Sequence, residues 1–222
     1  TTDGKSLVFV SDRDQQADIW KATRSDDSSY WWQNNEFTLK RITNDPVVEY
    51  GLTVSPDGKH LGYLRERGDF WITDLDGKEP RQIFASWNSP DYDWSPDGKW
   101  LVYAVDDASF NRDIYILPLD GTREPHNLSR HPDNDAAPVW SPDGKMIAFL
   151  GQRLGEEVDI YYVYLRAEDE EKSSRDRSLT KAIEKMKKMR KSPAPEKKPA
   201  EKPEKKPTEK PDEKSEKKAE PE

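Results

Sequence analysis

Few residues of this sequence occur at a spacing that supports a chemical reaction. The chain contains no Gly-x-Ser-x-Gly nucleophile elbow, no His-Glu-x-x-His pair and no glycine-rich phosphate loop. Asp12, Asp14 and Asp18 are spaced like part of a calcium loop, but the glycine and the terminal glutamate of such a loop are missing. No ligand cluster includes any of the three histidines, which are His60, His126 and His131. We therefore predict a chain without catalytic residues, a bound metal or a cofactor.

One group of side chains could bind a ligand without doing chemistry. Tyr30, Trp31 and Trp32 are consecutive and lie within an insertion that runs over residues 23–37. Adjacent aromatic rings on a surface loop can contact a peptide or a sugar, so these three residues form our candidate peptide-contacting loop. The alternative is that the rings are buried against a neighbouring structural unit.

The elements that must position this loop are marked by a repeated turn. The sequence Ser-Pro-Asp-Gly-Lys occurs at residues 55–59, 95–99 and 141–145, and a shortened copy opens the chain at residues 1–5. Proline presets φ at the first corner, aspartate bonds its own backbone, and glycine accepts the positive φ that closes a hairpin. We predict a structural role, and no metal binding, for the turn residues Asp57, Gly58, Asp97, Gly98, Asp143 and Gly144.

Short strands are predicted on both sides of each turn. After each turn, apolar residues alternate as in a strand with one buried face. The pairs predicted to face the core are Leu7 and Phe9, Leu61 and Tyr63, Leu101 and Tyr103, and Ile147 and Phe149. A second short run follows in each copy, beginning Asp-Ile or Asp-Phe, and a third run follows in three copies, so each unit holds up to four antiparallel strands.

The spacing of the units identifies the architecture. The Asp-Gly-Lys marks are 54, 40 and 46 residues apart, and four-stranded units of this length are typical of β-propeller blades. We predict an all-β chain with about four blades at residues 1–43, 44–84, 85–129 and 130–166. The first copy lacks its leading strand, and we expect an incomplete propeller with further blades at both ends.

Residues 167–191 are predicted to form an acidic loop and a short amphipathic helix. Leu179, Ile183, Met186 and Met189 recur at helical spacing among lysines. In a competing interpretation, Ser178–Thr180 is the missing outer strand of the fourth blade. Residues 192–222 alternate lysine, proline and glutamate, which predicts a disordered insertion or linker.

Charge and composition limit the classes of partner that the chain is expected to bind. The first 167 residues hold 18 basic and 29 acidic residues, a net charge of about −11 that argues against nucleic acid as a partner. There is no cysteine and no apolar run long enough to span a membrane. We expect a soluble chain, cytoplasmic or periplasmic, whose partners are peptides, other domains of the same polypeptide, or further copies of the parent protein.

The W-S-P-D-G-K-x-I-A-F and D-I-Y runs resemble the TolB-type, WD-repeat-like propeller repeats of bacteria and archaea over residues 1–166. Together with the charged insertion, they are similar to the propeller region of bacterial tricorn-like proteases. That resemblance implies that the segment gates or channels peptides for a serine peptidase domain, and it assigns no catalytic residue here. Two alternatives remain, a TolB-like protein-binding scaffold and the propeller cap of a prolyl-oligopeptidase-type hydrolase.

Overall fold

The computed structural model describes residues 1–26 and 28–191. Residues 1–172 form one unit that is almost entirely β-structure, and a helix at residues 174–191 belongs to a second unit. The tract 192–222, which was predicted to be disordered, lies outside the described residues. Across the described ranges, none of the helices combines the length and the apolar character that crossing a membrane requires.

Four antiparallel sheets follow one another along the chain, each built from consecutive strands. The first sheet has strands β1 (Ser6–Ser11), β2 (Asp18–Arg24) and β3 (Phe37–Arg41). The second has β4 (Glu49–Val54), β5 (His60–Arg65), β6 (Asp69–Asp74) and β7 (Arg81–Phe84). The third has β8 (Asp91–Trp94), β9 (Trp100–Asp106), β10 (Arg112–Pro118) and β11 (His126–Asn127). The fourth has β12 (Asp135–Trp140), β13 (Met146–Leu154) and β14 (Glu157–Tyr164).

Within residues 1–26 and 28–191, helical structure occurs in three places. A single turn of 3-10 helix spans Trp31–Gln33, helix α1 spans Ala167–Glu170, and helix α2 spans Ser174–Lys191. Ser178–Thr180 therefore lie within helix α2 and not in an outer strand. The side chains of Leu179, Ile183 and Met186 on this helix are exposed.

The sheets pack face to face, and each contact between neighbouring sheets contains its own apolar cluster. Ile19, Leu61 and Tyr63 form the cluster between the first and second sheets. The cluster between the second and third sheets is built from Leu64, Phe70, Ile72, Trp94, Leu101, Tyr103, Leu117 and Leu119. The cluster between the third and fourth sheets is built from Val102, Ala104, Ile114, Ile147 and Phe149. Because the two middle sheets are covered on both faces, four consecutive residues are buried in the second strand of each, at residues 61–64 and 101–104.

The leading strands of successive sheets also meet. The backbone N–H of Ala137 in β12 donates to the Asp91 carboxylate in β8 over 3.1 Å, and that of Trp140 donates to Asp93 over 2.8 Å. The Tyr92 hydroxyl of β8 in turn lies 3.1 Å from the Thr53 hydroxyl of β4. This convergence of first strands is the arrangement expected at the inner rim of a propeller.

The prediction that Leu7 and Phe9 face the core is wrong for Leu7, which is 53% exposed, while Phe9 is half-buried. The other three predicted pairs are buried. All eight residues occupy the same face of their sheets. In the second, third and fourth sheets this face packs on the preceding sheet, and within the described residues no sheet precedes the first. The alternation was thus predicted correctly, but burial of Leu7 requires a neighbouring sheet on this face, and the described residues supply none.

Candidate functional site

The predicted aromatic loop connects β2 to β3 and is held to the first sheet by Trp31. The Trp31 indole Nε1–H donates to the carbonyl of Gly4 over 2.8 Å, and its ring stacks on Phe37 with centroids 5.5 Å apart. The guanidinium of Arg24 lies 5.7 Å from the centre of the Trp31 ring. These contacts make Trp31 the anchor of the loop.

Tyr30 and Trp32 form an exposed aromatic pair. Their rings stack with centroids 4.5 Å apart and an angle of 5° between the planes, while 65% of Tyr30 and 78% of Trp32 remain exposed. The turn that presents them is fixed locally, since Gln33 Oε1 accepts the Tyr30 N–H and Asn34 Nδ2 donates to the Tyr30 carbonyl, both over 3.0 Å. The structure therefore separates the three predicted residues into one anchor and two presented rings.

The three complete repeat turns have one geometry. In each, the serine hydroxyl donates to the aspartate two residues later over 2.6–2.7 Å, and the glycine has φ between +68° and +71°. The serine hydroxyl also accepts a backbone N–H five residues on, at His60, Trp100 and Met146. The hydrogen bond from the Ser95 hydroxyl lowers the pKa of Asp97. Burial acts to raise the pKa of Asp57, but hydrogen bonds from Ser55 and Lys59 together with nearby positive charge lower it overall.

Successive turns lie against one another. A Cβ on Gly98 would be 2.7 Å from Cγ of Asp57 in the preceding turn, whereas a Cβ on Gly144 would be 3.9 Å from Pro96. Between the second and third sheets, next to this contact, is an open cavity of about 520 Å³ lined by residues that include Lys59, Arg81 and Trp100. A second cavity, of about 470 Å³, lies beside the turns of the third and fourth sheets.

Buried carboxylates at the contact between the first and second sheets were not singled out from the sequence. Asp18 and Glu49 are fully buried, with the Glu49 carboxylate 3.0 Å from the Thr43 hydroxyl and 3.6 Å from Arg65 Nε. Burial raises the pKa of Glu49 to about 7. The sequence did contain one signal that could have pointed to Glu49. An acidic residue recurs at the start of the first strand in three sheets, as Glu49, Asp91 and Asp135.

The three histidines considered from the sequence lie in separate places. His60 begins β5, His126 lies in β11, and His131 lies beyond the end of that strand. Asp14 and Asp18 share Arg41 as an ionic partner. In the described part of the chain, no three His, Cys, Asp or Glu side chains are arranged to hold a metal ion.

Comparison with known proteins gives relatives of three kinds. A tricorn protease homologue of Saccharolobus solfataricus is 28% identical over 104 residues, which is 46% of this chain and 10% of that protein. A TolB homologue of Chlorobium luteolum is 26% identical over 155 residues, 68% of this chain and 33% of that protein. Dipeptidyl-peptidase 5 of Porphyromonas gingivalis is 38% identical over 101 residues, 41% of this chain and 15% of that protein. The chain thus spans at most a third of these relatives, and a comparison with protein-family models finds no match.

Solved structures agree on the fold. TolB from Acinetobacter baumannii superposes with a TM-score of 0.54 at 19% identity, covering 75% of this chain and 40% of that one. The tricorn protease superposes with a TM-score of 0.56 at 13% identity, covering 73% of this chain and 17% of that one. The predicted all-β propeller architecture and the resemblance to TolB-type and tricorn-like repeats are confirmed.

Proposed function

We propose that this chain is a non-catalytic propeller region that binds and channels extended peptides for a tricorn-like serine protease. The observation that carries the proposal is the exposed Tyr30–Trp32 pair on a loop anchored by Trp31. Its context is a propeller whose relatives include a tricorn protease homologue.

The chemistry of the surface favours one class of peptide. The first 167 residues carry a net charge of about −11, which attracts basic chains and repels acidic ones. A stacked aromatic pair offers a flat apolar platform to side chains or proline rings of an extended peptide.

Peptide binding to the 222-residue chain tests the proposal. Fluorescence anisotropy is measured with two labelled, unstructured peptides of equal length, one basic and one acidic. We expect the basic peptide to bind more tightly, with an affinity that falls as salt rises. Trp32→Ala should weaken binding at least fivefold, while Trp87→Ala, a control at another exposed tryptophan, should change it less than twofold. Equal binding by the two peptides, or equal effects of the two substitutions, would contradict the proposal.

A TolB-like scaffold is the second candidate, because this chain covers a larger share of TolB proteins than of tricorn proteins. Such a scaffold should bind a folded partner at least as well as the same partner unfolded.

The 38% identity to dipeptidyl-peptidase 5 favours a third candidate, the cap of a hydrolase of that kind. For a cap, joining the chain to a peptidase domain should restrict the length of cleaved peptides, whereas a scaffold should leave cleavage unchanged.

A further inference from the structure

The cavity of about 470 Å³ beside the turns of the third and fourth sheets has walls of two chemical kinds. The third sheet contributes Trp100 and Asp97 to its lining, and the fourth contributes Trp140 and Asp143. Two prolines, one from each turn, extend the apolar part of the wall. This cavity, which we call the indole cavity, therefore combines aromatic rings with carboxylates.

The two tryptophans of the indole cavity differ from the other six in their partners. Each of the other six contacts an aromatic ring or a guanidinium. Among the described residues, neither Trp100 nor Trp140 has a contact of this kind, although both are half-buried. The two indole rings that have no aromatic or cationic partner thus line the same cavity.

A difference between the repeats explains why Trp140 has no such partner. Trp94, at the equivalent place in the third sheet, meets the ring of Phe70 edge-on with centroids 6.0 Å apart, and its indole N–H donates to the Thr53 hydroxyl over 3.0 Å. The residue of the third sheet that is equivalent to Phe70 is Ile114, since both follow the repeated aspartate. Because Ile114 has no ring, it gives Trp140 no aromatic partner.

The lining of the indole cavity is negatively charged. The Ser95 hydroxyl donates to Oδ1 of Asp97 over 2.6 Å, and this bond lowers the pKa of Asp97, so the carboxylate stays ionised. Asp143 supplies the second carboxylate, and Arg166, the cation of the lining, lies 3.6 Å from Glu168. Two carboxylates and one guanidinium leave one net negative charge, which favours a cationic ligand.

Elsewhere in the chain, an aromatic ring and a carboxylate together surround an arginine. The guanidinium of Arg65 lies 4.9 Å from the centre of the Trp71 ring, and its Nε is 3.6 Å from the Glu49 carboxylate. Arg153 lies 4.8 Å from the centre of the Tyr161 ring, also beside a fully buried carboxylate. A guanidinium suits such a place because it is planar and weakly hydrated, so it can stack on a ring while its N–H groups bind the carboxylate.

We propose that the indole cavity, lined by Trp100, Trp140 and Asp97, binds the side chain of an arginine in an extended peptide. The guanidinium stacks on an indole ring and donates to Oδ2 of Asp97, because the hydrogen bonds of the turn end on Oδ1. The repeat turns and the β2–β3 loop that carries Trp32 lie at corresponding ends of their sheets. This inference rests on the proposed function and names one side chain that the peptide must carry.

The test uses the 222-residue chain, labelled with ¹⁵N at its tryptophans, and acetyl-Ala-Arg-Ala-amide as the probe. Two further tripeptides carry lysine or citrulline in place of the arginine, and citrulline has nearly the shape of arginine without its charge. We expect saturable shifts of the indole N–H signals of Trp100 and Trp140, which are assigned from Trp→Phe variants. The arginine peptide should bind at least about fivefold more tightly than the citrulline peptide and about twofold more tightly than the lysine peptide.

Two pairs of variants place the binding in this cavity. Asp97→Asn should weaken binding of the arginine peptide at least about fivefold. Asp57→Asn is its matched control, because Asp57 accepts the same hydrogen bonds in the preceding turn but does not line the indole cavity, and it should change the affinity less than about twofold. Trp100→Leu should likewise weaken binding at least about fivefold, and Trp87→Leu less than about twofold.

Absence of saturable binding, equal affinity for the arginine and citrulline peptides, or equal effects of Asp97→Asn and Asp57→Asn would each overturn the assignment. A lysine peptide that binds as tightly as the arginine peptide would overturn the choice of a guanidinium. Trp32→Ala separates this inference from the proposed function. If Trp32→Ala weakens binding of the tripeptide and Asp97→Asn does not, the peptide binds at the Tyr30–Trp32 pair and the cavity assignment fails alone. The reverse result supports the cavity and counts against the aromatic pair.

Discussion

The contact between successive repeat turns can be tested at two glycines that are alike in backbone conformation. Gly98 has φ +69° and Gly144 has φ +68°, so alanine at either position should cost about 1–2 kcal/mol for the left-handed backbone alone. The surroundings differ, because a Cβ on Gly98 would lie 2.7 Å from Cγ and 2.8 Å from Oδ1 of Asp57. At Gly144 the nearest atom would be 3.9 Å away.

Asp57 cannot move aside without loss. Its carboxylate accepts the Ser55 hydroxyl over 2.7 Å and the Lys59 N–H over 3.2 Å, and each such bond contributes about 1 kcal/mol. Gly98→Ala should therefore lower the free energy of unfolding by about 2–4 kcal/mol, and Gly144→Ala by about 1–2 kcal/mol. In a double-mutant cycle, Asp57→Ala should recover about 1 kcal/mol of the cost of Gly98→Ala.

Urea unfolding followed by tryptophan fluorescence measures these differences, since the chain has eight tryptophans. Gly144→Ala serves as the control for backbone strain. If the two glycine variants agree within about 0.5 kcal/mol, or if the cycle shows no coupling with Asp57, the turns do not support one another and the reasoning fails.

Three further predictions follow from the same structure. Leu101→Ala should lower the free energy of unfolding, measured in urea, by about 2–5 kcal/mol because Leu101 is fully buried. Leu7→Ala, at the equivalent exposed position, should lower it by less than about 1 kcal/mol. Trp31→Ala should cost about 1–3 kcal/mol through loss of its stacking and indole hydrogen bond, and Trp32→Ala should leave stability within about 0.5 kcal/mol; equal costs would contradict the anchor assignment. The pKa of Glu49 is raised from 4.5 to about 7, so the folded state resists its ionisation and stability should fall by roughly 1–3 kcal/mol as pH rises from about 4.5 to 7. Glu49→Gln should remove that dependence in pH-resolved urea unfolding, and Glu156→Gln should retain it.

The features that could be predicted from the sequence, the hairpin turns and the faces of the strands, depend on short-range interactions. The turn residues act through their own backbone and through neighbours within five positions, so Ser-Pro-Asp-Gly-Lys specifies its hairpin locally. Alternation gave the correct face for all four predicted strand pairs. What failed at Leu7 was the inference from face to burial, because burial requires a second sheet that the strand itself does not encode.

The candidate site needed long-range information. The sequence placed Tyr30, Trp31 and Trp32 in one loop, but it could not tell which ring would be anchored, since the hydrogen-bond acceptor Gly4 lies 27 residues away. In the sequence, Glu49 is an ordinary acidic residue at the start of a strand. Its raised pKa depends on burial between two sheets, which no local pattern reports.

Hairpin formation alone does not explain why the turns keep glycine. Every repeat glycine has a positive φ, yet only some of them also face a neighbour at a distance that excludes a side chain, as the difference between Gly98 and Gly144 shows. The Asp-Gly turns of the second and third sheets repeat the contrast: a Cβ on Gly77 would lie 2.7 Å from the carbonyl oxygen of Ile42, while one on Gly121 would meet nothing within 4 Å. Positive φ is thus the requirement common to all the turns, and contact with the preceding sheet is a second requirement that varies with position. Glycine satisfies both requirements. Glycines in identical motifs can therefore contribute differently to the free energy of unfolding, and alanine substitution measures that difference.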